Sequence, residues 1–375
     1  MPERVFTIGL VRRGHSATGG AEAYLKRLGR GLREAGHTPR LFTSVEWPAQ
    51  EWSWGPMTRL RGETALRFAD ELARLDPKKE CDVVLSLERV WSCDVYRAGD
   101  GIHKAWMRRR AALARWPRRR LLFLNSNHRE ILELETALFS GGASRVIANS
   151  EMVKREAEEF YRYPAERIEV VRNGVPVADF RPRPELRETR RKSLGLDEKE
   201  IAVLFVGSGW ERKGLRFAVQ AVQSLEENFR LLIAGRGPRR LATGRRLTHL
   251  DPVHDLPALY GAADIFLLPT LYDPFSNACL EALAAGLPVI TTRDNGFSEV
   301  IENGIQGTII NSPADIAELR EGLLFWADAD RRRAAQPQIL ARASEFDLAR
   351  NLHETLALLS QAASAESVSG KMRKT

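Results

Sequence analysis

The chain has 375 residues, 43% hydrophobic and 28% charged, which is enough for two domains with cores of their own and excludes a disordered chain. Three cysteines, Cys81, Cys93 and Cys279, are too few and too scattered for a disulfide framework or a cysteine-based zinc site, and their odd number suits a reducing compartment. Lysine and arginine outnumber aspartate and glutamate by 57 to 49, a formal net charge of +8 that points to an anionic partner: nucleic acid, acidic lipid or a phosphorylated substrate.

From the N-terminus, MPERVFTIGLV enters a strand at once, with no signal-peptide pattern, and no apolar run approaches membrane-spanning length, so a cytoplasmic protein is expected. The pattern then predicts strand 5–11, helix 21–35, strand 39–43, helix 63–74 and strand 82–87. A basic helical segment follows, then helix 129–138, strand 145–148, helix 151–160 and strand 168–171. VRNGVPVADFRPRPE, 171–185, concentrates glycine, proline and turn residues where a linker would fall. A second alternation predicts strand 202–206, helix 215–225, strand 230–234, helix 256–262, strand 265–268, helix 277–285 and strand 289–292. The expected division is a domain over 1–175, a second over 176–346, a helix over 347–361 and a disordered tail over 362–375.

Residues 266–292, FLLPTLYDPFSNACLEALAAGLPVITT, set two carboxylates, Asp273 and Glu281, around a turn of small residues that opens a helix between two apolar strands. Pro274 suits the first helical turn, and Gly286 and Pro288 stop the helix. The backbone N–H groups of Phe275, Ser276, Asn277 and Ala278 are then helix-start donors at the end of a parallel strand, where they can hold phosphate oxygens. Glu281 follows about one turn later, placed to accept sugar hydroxyls.

Two acids separated by seven residues, the second opening E-A-L-A-A-G-L-P-V, resemble the signature of retaining, nucleotide-sugar-dependent glycosyltransferases of family 4. The resemblance implies that Asp273 touches the donor sugar, that the backbone of Phe275, Ser276 and Asn277 touches sugar and phosphate, and that Glu281 binds the nucleotide ribose. The first acid is Asp where the family usually has Glu, which shortens its reach by a methylene.

GSGWERKG, beginning at Gly207, follows a strand and precedes a helix, so Arg212 and Lys213 fall where strand ends meet a crevice. A guanidinium and an ammonium there neutralise charge on a departing nucleoside diphosphate. The family's G-x-x-x-x-K-G pattern assigns both cations to the donor phosphates. GHSATGG, 14–20, joins the first strand to the first helix, and Gly19 and Gly20 let backbone N–H groups approach a ligand. It is not G-x-G-x-x-G, and no acid ends the second strand, which argues against a dinucleotide. By resemblance this turn faces the donor phosphates. Asn173, Gly174, Val175 and Phe180 match the family's N-G-V-x-x-x-x-F run, a matter of hinge geometry, and His254 stands where the family seats the nucleotide base. Read by itself, His254 is a cap or a surface residue.

RAGDGIHKAW, 97–106, offers Asp100 and His103, either of which can orient an acceptor hydroxyl or stabilise developing oxocarbenium charge; a turn-forming aspartate and a surface histidine explain them equally well. Asp328 and Asp330 form a D-x-D without a leading strand, so no metal site is expected there. HKAWMRRRAALARWPRRR, 103–120, carries eight Lys/Arg and no acid. Trp106 and Trp116 can share one helix side, flanked by Arg108, Arg109, Arg110, Arg118, Arg119 and Arg120, as in a segment lying on an anionic bilayer. A polyanion such as RNA is the other partner for this pattern, though no RNA-binding motif accompanies it.

The resemblance implies an α/β protein of the GT-B fold: two Rossmann-like domains, acceptor-binding then nucleotide-sugar-binding, with an interdomain cleft and a C-terminal helix crossing back. The YDPFSNACLEAL form and the basic Trp-containing segment are most similar to bacterial lipopolysaccharide core glucosyltransferases. The expected activity is transfer of a hexose from a UDP-sugar to a glycan or glycolipid acceptor at the inner face of the inner membrane. No metal or other cofactor and no nucleic acid partner are expected. A UDP-sugar 2-epimerase of the same fold and a non-enzymatic polyanion-binding protein are the alternatives.

Overall fold

The computed structural model describes residues 5–15, 20–113, 125–250, 253 and 255–372. The chain divides into two compact units: Met1–Arg172 with Asn351–Thr375, and Asn173–Arg350.

The first unit holds a parallel sheet of β1 (Thr7–Arg12), β2 (Thr38–Ser44), β3 (Met57–Leu60), β4 (Val83–Ser86), β5 (Cys93–Arg97), β6 (Ala143–Ala148) and β7 (Ile168–Val170), in the order β3-β2-β1-β4-β5-β6-β7. Connection direction reverses between β1 and β4, the switch point at which open α/β sheets take ligands beyond their carboxyl ends. Two strands lack the expected apolar run. The edge strand β3, MTRL, is only half-buried. In β5, CDVYR, every residue is buried, and its charges are met internally: Asp94 accepts from the Val84 N–H at 2.8 Å and pairs with Lys78, and the Arg97 guanidinium lies over the Tyr24 ring at 4.1 Å.

The last helix, Leu348–Met372, runs past the expected boundary at 361, so residues 362–372 are helical rather than an irregular tail. Leu359, Ala362 and Ala363 are buried in the first unit's core with Leu25, Leu28 and Leu32 of helix Gly20–Glu34, and that burial extends the helix beyond what its composition suggested. Gly31 makes the room: a Cβ there would stand 2.2 Å from Leu352 Cδ2.

The second unit is a parallel sheet of β8 (Ile201–Val206), β9 (Phe229–Ala234), β10 (Leu247–Leu250), β11 (Ile265–Leu268), β12 (Val289–Thr292) and β13 (Gly307–Ile310), ordered β10-β9-β8-β11-β12-β13 with its reversal between β8 and β11. The short edge strands β10 and β13 carry no long apolar run and escaped sequence reading. Strands β8, β9, β11 and β12, each largely or wholly buried, match the predicted positions within a residue at each end. The stretch expected to be a linker is packed within this unit: Val175 N–H donates to the Phe346 carbonyl at 2.9 Å, and Phe180 meets the Tyr260 ring edge-on at 5.5 Å.

Candidate functional site

At the carboxyl ends of β8 and β11 the two motif-bearing turns lock together. Helix Trp210–Lys213 ends at Gly214, whose φ of +76° belongs to glycine, and a Cβ there would fall 1.8 Å from the Pro269 carbonyl oxygen. The Arg212 carbonyl accepts from the Thr270 hydroxyl and the Leu271 N–H, both at 2.8 Å. Gly207 donates its N–H to the Ala234 carbonyl at 2.9 Å. Contacts to the Arg212 carbonyl therefore bring the turn carrying Arg212 and Lys213 to the turn carrying Asp273.

Lys213 Nζ is ion-paired with Asp273 Oδ2, and both groups are largely buried. The predicted phosphate cation is thus held by the predicted donor-sugar acid. Asp273 is fixed in turn: its N–H donates to the Asp294 carbonyl at 2.9 Å and its carbonyl accepts from the Gly296 N–H at 2.8 Å, so its backbone is bridged to the chain after β12. That bridge keeps the chain out of the helix at Pro274, contrary to the expectation from sequence. The helix is Asn277–Ala284, with Ser276 preceding it. Of the four expected donors, the Ser276 N–H already bonds Asn295 Oδ1 at 3.3 Å.

Asn295, which sequence reading missed, ties this corner together. It donates to Thr291 Oγ1 at 3.0 Å, and its oxygen also accepts from Phe297 N–H at 3.1 Å. Burial pushes the neighbouring Cys279 thiol up to about 12, so this cysteine stays protonated and inert. Asn173, expected to serve hinge geometry, donates through its amide to the Phe275 carbonyl at 3.1 Å and to Asn277 Oδ1 at 2.7 Å. Glu281, one turn along, accepts from the Tyr260 hydroxyl at 2.9 Å. Gly19 and His254 lie outside the described residues; Gly20 begins helix Gly20–Glu34.

In the first unit, the ends of β1 and β4 carry a charge cluster that sequence reading did not single out. Arg12 meets Glu88 at 2.8 Å, Glu22 at 3.1 Å and Asp100 at 3.9 Å. Burial holds the Glu88 carboxyl above its ordinary value, opposed by the charge of Arg12. Asp100 is about half exposed. His103 is drawn elsewhere: its Nε2 lies 3.0 Å from His128 Nδ1, and burial, followed by the charge of Arg89, lowers its pKa to about 4. The N–H groups of His103 and Lys104, which open helix His103–Leu113, are taken by the buried Glu135 carboxylate at 2.7 and 3.1 Å. Glu135 also receives Arg89 at 2.9 Å and the Tyr161 hydroxyl at 2.6 Å, so a protein carboxylate already fills this helix start.

Within the basic segment, Arg108 pairs with Glu159 at 2.9 Å and Arg109 with Glu156 at 2.7 Å, while Arg110 lies over the half-buried Trp106 ring at 5.9 Å. Two of the six arginines expected to face lipid are therefore partly neutralised. Trp116, Arg118, Arg119 and Arg120 lie outside the described residues. Asp328 accepts from the N–H groups of Asp330 and Arg331 at the start of helix Ala329–Ser344, and Asp330 pairs with Arg333. The D-x-D is thus a helix cap.

Two parallel sheets, each with a single switch point and with motif residues gathered at a strand end, define a GT-B protein. A family model described as Glycosyltransferase Family 4 matches residues 18–179, and one described as Glycosyl transferases group 1 matches residues 200–326. The lipopolysaccharide glucosyltransferase WaaG of Escherichia coli (strain K12) is 28% identical over 257 residues, 64% of this chain and 67% of that protein. The glycosyltransferase MJ1607 of Methanocaldococcus jannaschii is 30% identical over 178 residues, 44% of this chain and 46% of that protein. Several curated relatives are matched over about half their length. Among solved structures, that of WaaG superposes with a TM-score of 0.80 at 23% identity, covering 94% of this chain and 99% of the other. Anabaena Alr3699/HepE in complex with UDP-glucose gives a TM-score of 0.71 at 19% identity, covering 94% and 100%. The two models place glycosyltransferase domains over residues 18–179 and 200–326, and the superposition on WaaG shows the GT-B fold.

Proposed function

We propose that this protein is a retaining hexosyltransferase that moves a hexose, glucose by preference, from a UDP-sugar to a glycan or glycolipid acceptor in lipopolysaccharide or other cell-envelope polysaccharide synthesis. The observation that carries this reading is the meeting of Lys213, Asp273 and the start of helix Asn277–Ala284 at one strand end, with Glu281 a turn further on. The UDP-glucose held by the same fold in Alr3699/HepE supports the donor class. Both matched family models are of glycosyltransferases, which disfavours the epimerase and the polyanion binder.

In this reading Arg212, Lys213 and the free N–H groups of the helix start take the diphosphate charge as it grows on the leaving group. Asp273 holds Lys213 and touches the donor sugar, and Glu281 accepts from the ribose hydroxyls. The acceptor oxygen bonds to the anomeric carbon on the face from which the phosphate oxygen departs. The acceptor proton passes to that phosphate oxygen, and UDP leaves. Because protein groups meet the phosphate charge, the reaction requires no metal.

A panel of UDP-sugars, with UDP release by slow hydrolysis as the readout, tests the reading. One UDP-hexose should be hydrolysed, equally fast in EDTA, and the free hexose should be released in the donor's anomeric configuration before it mutarotates. Release from no donor, or activity lost in EDTA and restored by Mg²⁺, counts against it.

The protein is proposed to work at the cytoplasmic face of the inner membrane through residues 103–120. Among the described residues no helix is long and apolar enough to cross a membrane. Since Arg108 and Arg109 are ion-paired, the attachment rests mainly on Arg118, Arg119 and Arg120 with the tryptophans. Changing those three to Gln should release the protein from phosphatidylglycerol vesicles at low salt, each contributing on the order of 1 kcal/mol. Wild-type indifference to such vesicles removes this part of the proposal.

A further inference from the structure

Tyr260 is fully buried on helix Leu256–Ala262, its ring stacked on Phe266 at 5.7 Å and met by Phe180 at 5.5 Å. The slot is apolar and would accept phenylalanine as readily, so the ring does not explain the hydroxyl. A buried hydroxyl costs stability unless it is bonded. This one lies 2.9 Å from Glu281 Oε2 and 3.1 Å from the Ala278 carbonyl, both on the helix whose start carries the donor-binding turn.

We propose that Tyr260 is a positioning residue for the donor: its hydroxyl fixes the Glu281 carboxylate in the orientation that receives the two ribose hydroxyls of a nucleoside diphosphate sugar. The inference rests on Glu281 being the ribose contact. A glutamate has three side-chain torsions, and ordering them on binding costs affinity; a hydrogen bond from a rigid, enclosed ring removes that cost before the ligand arrives. A phenol suits the task because it donates only when protonated. Burial, reinforced by the charge of Glu281, raises the Tyr260 pKa well above its ordinary value, so the donor proton is present throughout the working range.

A hydroxyl that merely staples two helices would stabilise the unit without sensing the ligand. The test is therefore the binding of UDP and of 2′,3′-dideoxy-UDP by calorimetry to wild type, Tyr260→Phe and Glu281→Gln, with urea unfolding as the check on folding. Tyr260→Phe should weaken UDP about three- to tenfold, the worth of one ordinary net hydrogen bond, and leave the dideoxy analogue unchanged. In turnover the KM for the UDP-sugar should rise by the same factor, with kcat within about twofold. Equal weakening of both ligands, or of neither, in a Tyr260→Phe protein overturns the positioning role. If Glu281→Gln discriminates against UDP alone while Tyr260→Phe does not, the ribose contact stands and only the inference falls. If Glu281→Gln binds both ligands as wild type does, the ribose reading falls and takes the inference with it.

Discussion

Each end of the second unit's sheet sets one aspartate against cationic side chains, Lys213 at one and three arginines at the other, and the proposed function gives the two ends opposite work. At the end where β8, β11 and β12 begin, Asp264 accepts Arg187 at 2.8 Å, Arg191 at 3.0 Å and Arg332 at 3.2 Å. The same guanidiniums donate to the carbonyls of Gly261, Ala262 and Ala263, and of Trp326 and Ala327, at the ends of helices Leu256–Ala262 and Ile316–Ala327. Helix carboxyl ends carry partial negative charge, and the arginines answer it. A cavity of about 410 Å³ lies there, lined by Arg187, Arg332 and Arg333, yet most of the cationic hydrogen bonds are already given to the fold. At the opposite end Lys213 and Asp273 neutralise each other, while a helix start points N–H groups outward. The comparison teaches that a cation cluster is to be judged by where its N–H groups are directed, and neither its charge nor the adjoining volume decides the matter.

Truncation on the two sides should separate rate from stability. On the proposed function, Lys213→Ala removes a group that acts on charge developing at the leaving phosphate, and a loss of at least about 10²-fold in kcat is expected, the size typical of deleting one preorganised stabiliser. Urea unfolding should register a loss as well, from an Asp273 left without its partner, so kcat read below the transition is the quantity that separates the two sides. Wild-type kcat in a folded Lys213→Ala protein would remove Lys213 from the site. Arg191→Ala should cost stability with kcat intact. It leaves Asp264 with two other arginines but strands the carbonyls of Ala262 and Glu200, for an expected loss of about 2–3 kcal/mol in the unfolding of the second unit. Its kcat below the transition should match wild type, and a kcat loss as large as that of Lys213→Ala would erase the distinction between the two ends.

Much of the candidate site could be read in the sequence because it is made of local signals. A buried strand, a glycine with positive φ and a helix stop leave marks within a few residues, so Gly207, Lys213, Asp273 and Glu281 could be placed before their neighbours were known. Contacts across long separations left no such mark. Asn173 lies 104 residues from Asn277, Tyr260 21 residues from Glu281, and Arg12 far along the chain from Glu88, and each pair meets only because of strand order. Charges buried in β5 hid that strand, since Asp94 and Arg97 interrupt its apolar pattern and find their partners on other elements. The helical continuation to Met372 was hidden for a related reason: small residues such as Ala362 and Ala363 gain helix stability from the core they enter.

The same distinction applies to His103, with a smaller expected effect. Its ordinary pKa of 6.5 falls to about 4 in the folded chain, chiefly through burial, with Arg89 and His128 acting in the same direction and Glu135 and Asp100 against it. His128 is lowered as well, by burial and by Arg110. An unfolded chain takes up a proton as the pH falls through 6.5, whereas the folded first unit resists until near 4. Stability from this group is therefore complete above about pH 6.5 and is lost progressively between 6.5 and 4. His103→Gln should flatten that part of the urea-midpoint profile of the first unit while leaving kcat at pH 7 within a few-fold of wild type, as befits a residue whose ring is engaged by His128. An unchanged acid slope would show that the pair carries no proton linkage. A large kcat loss with stability intact would move His103 from the structural side of the comparison to the catalytic one.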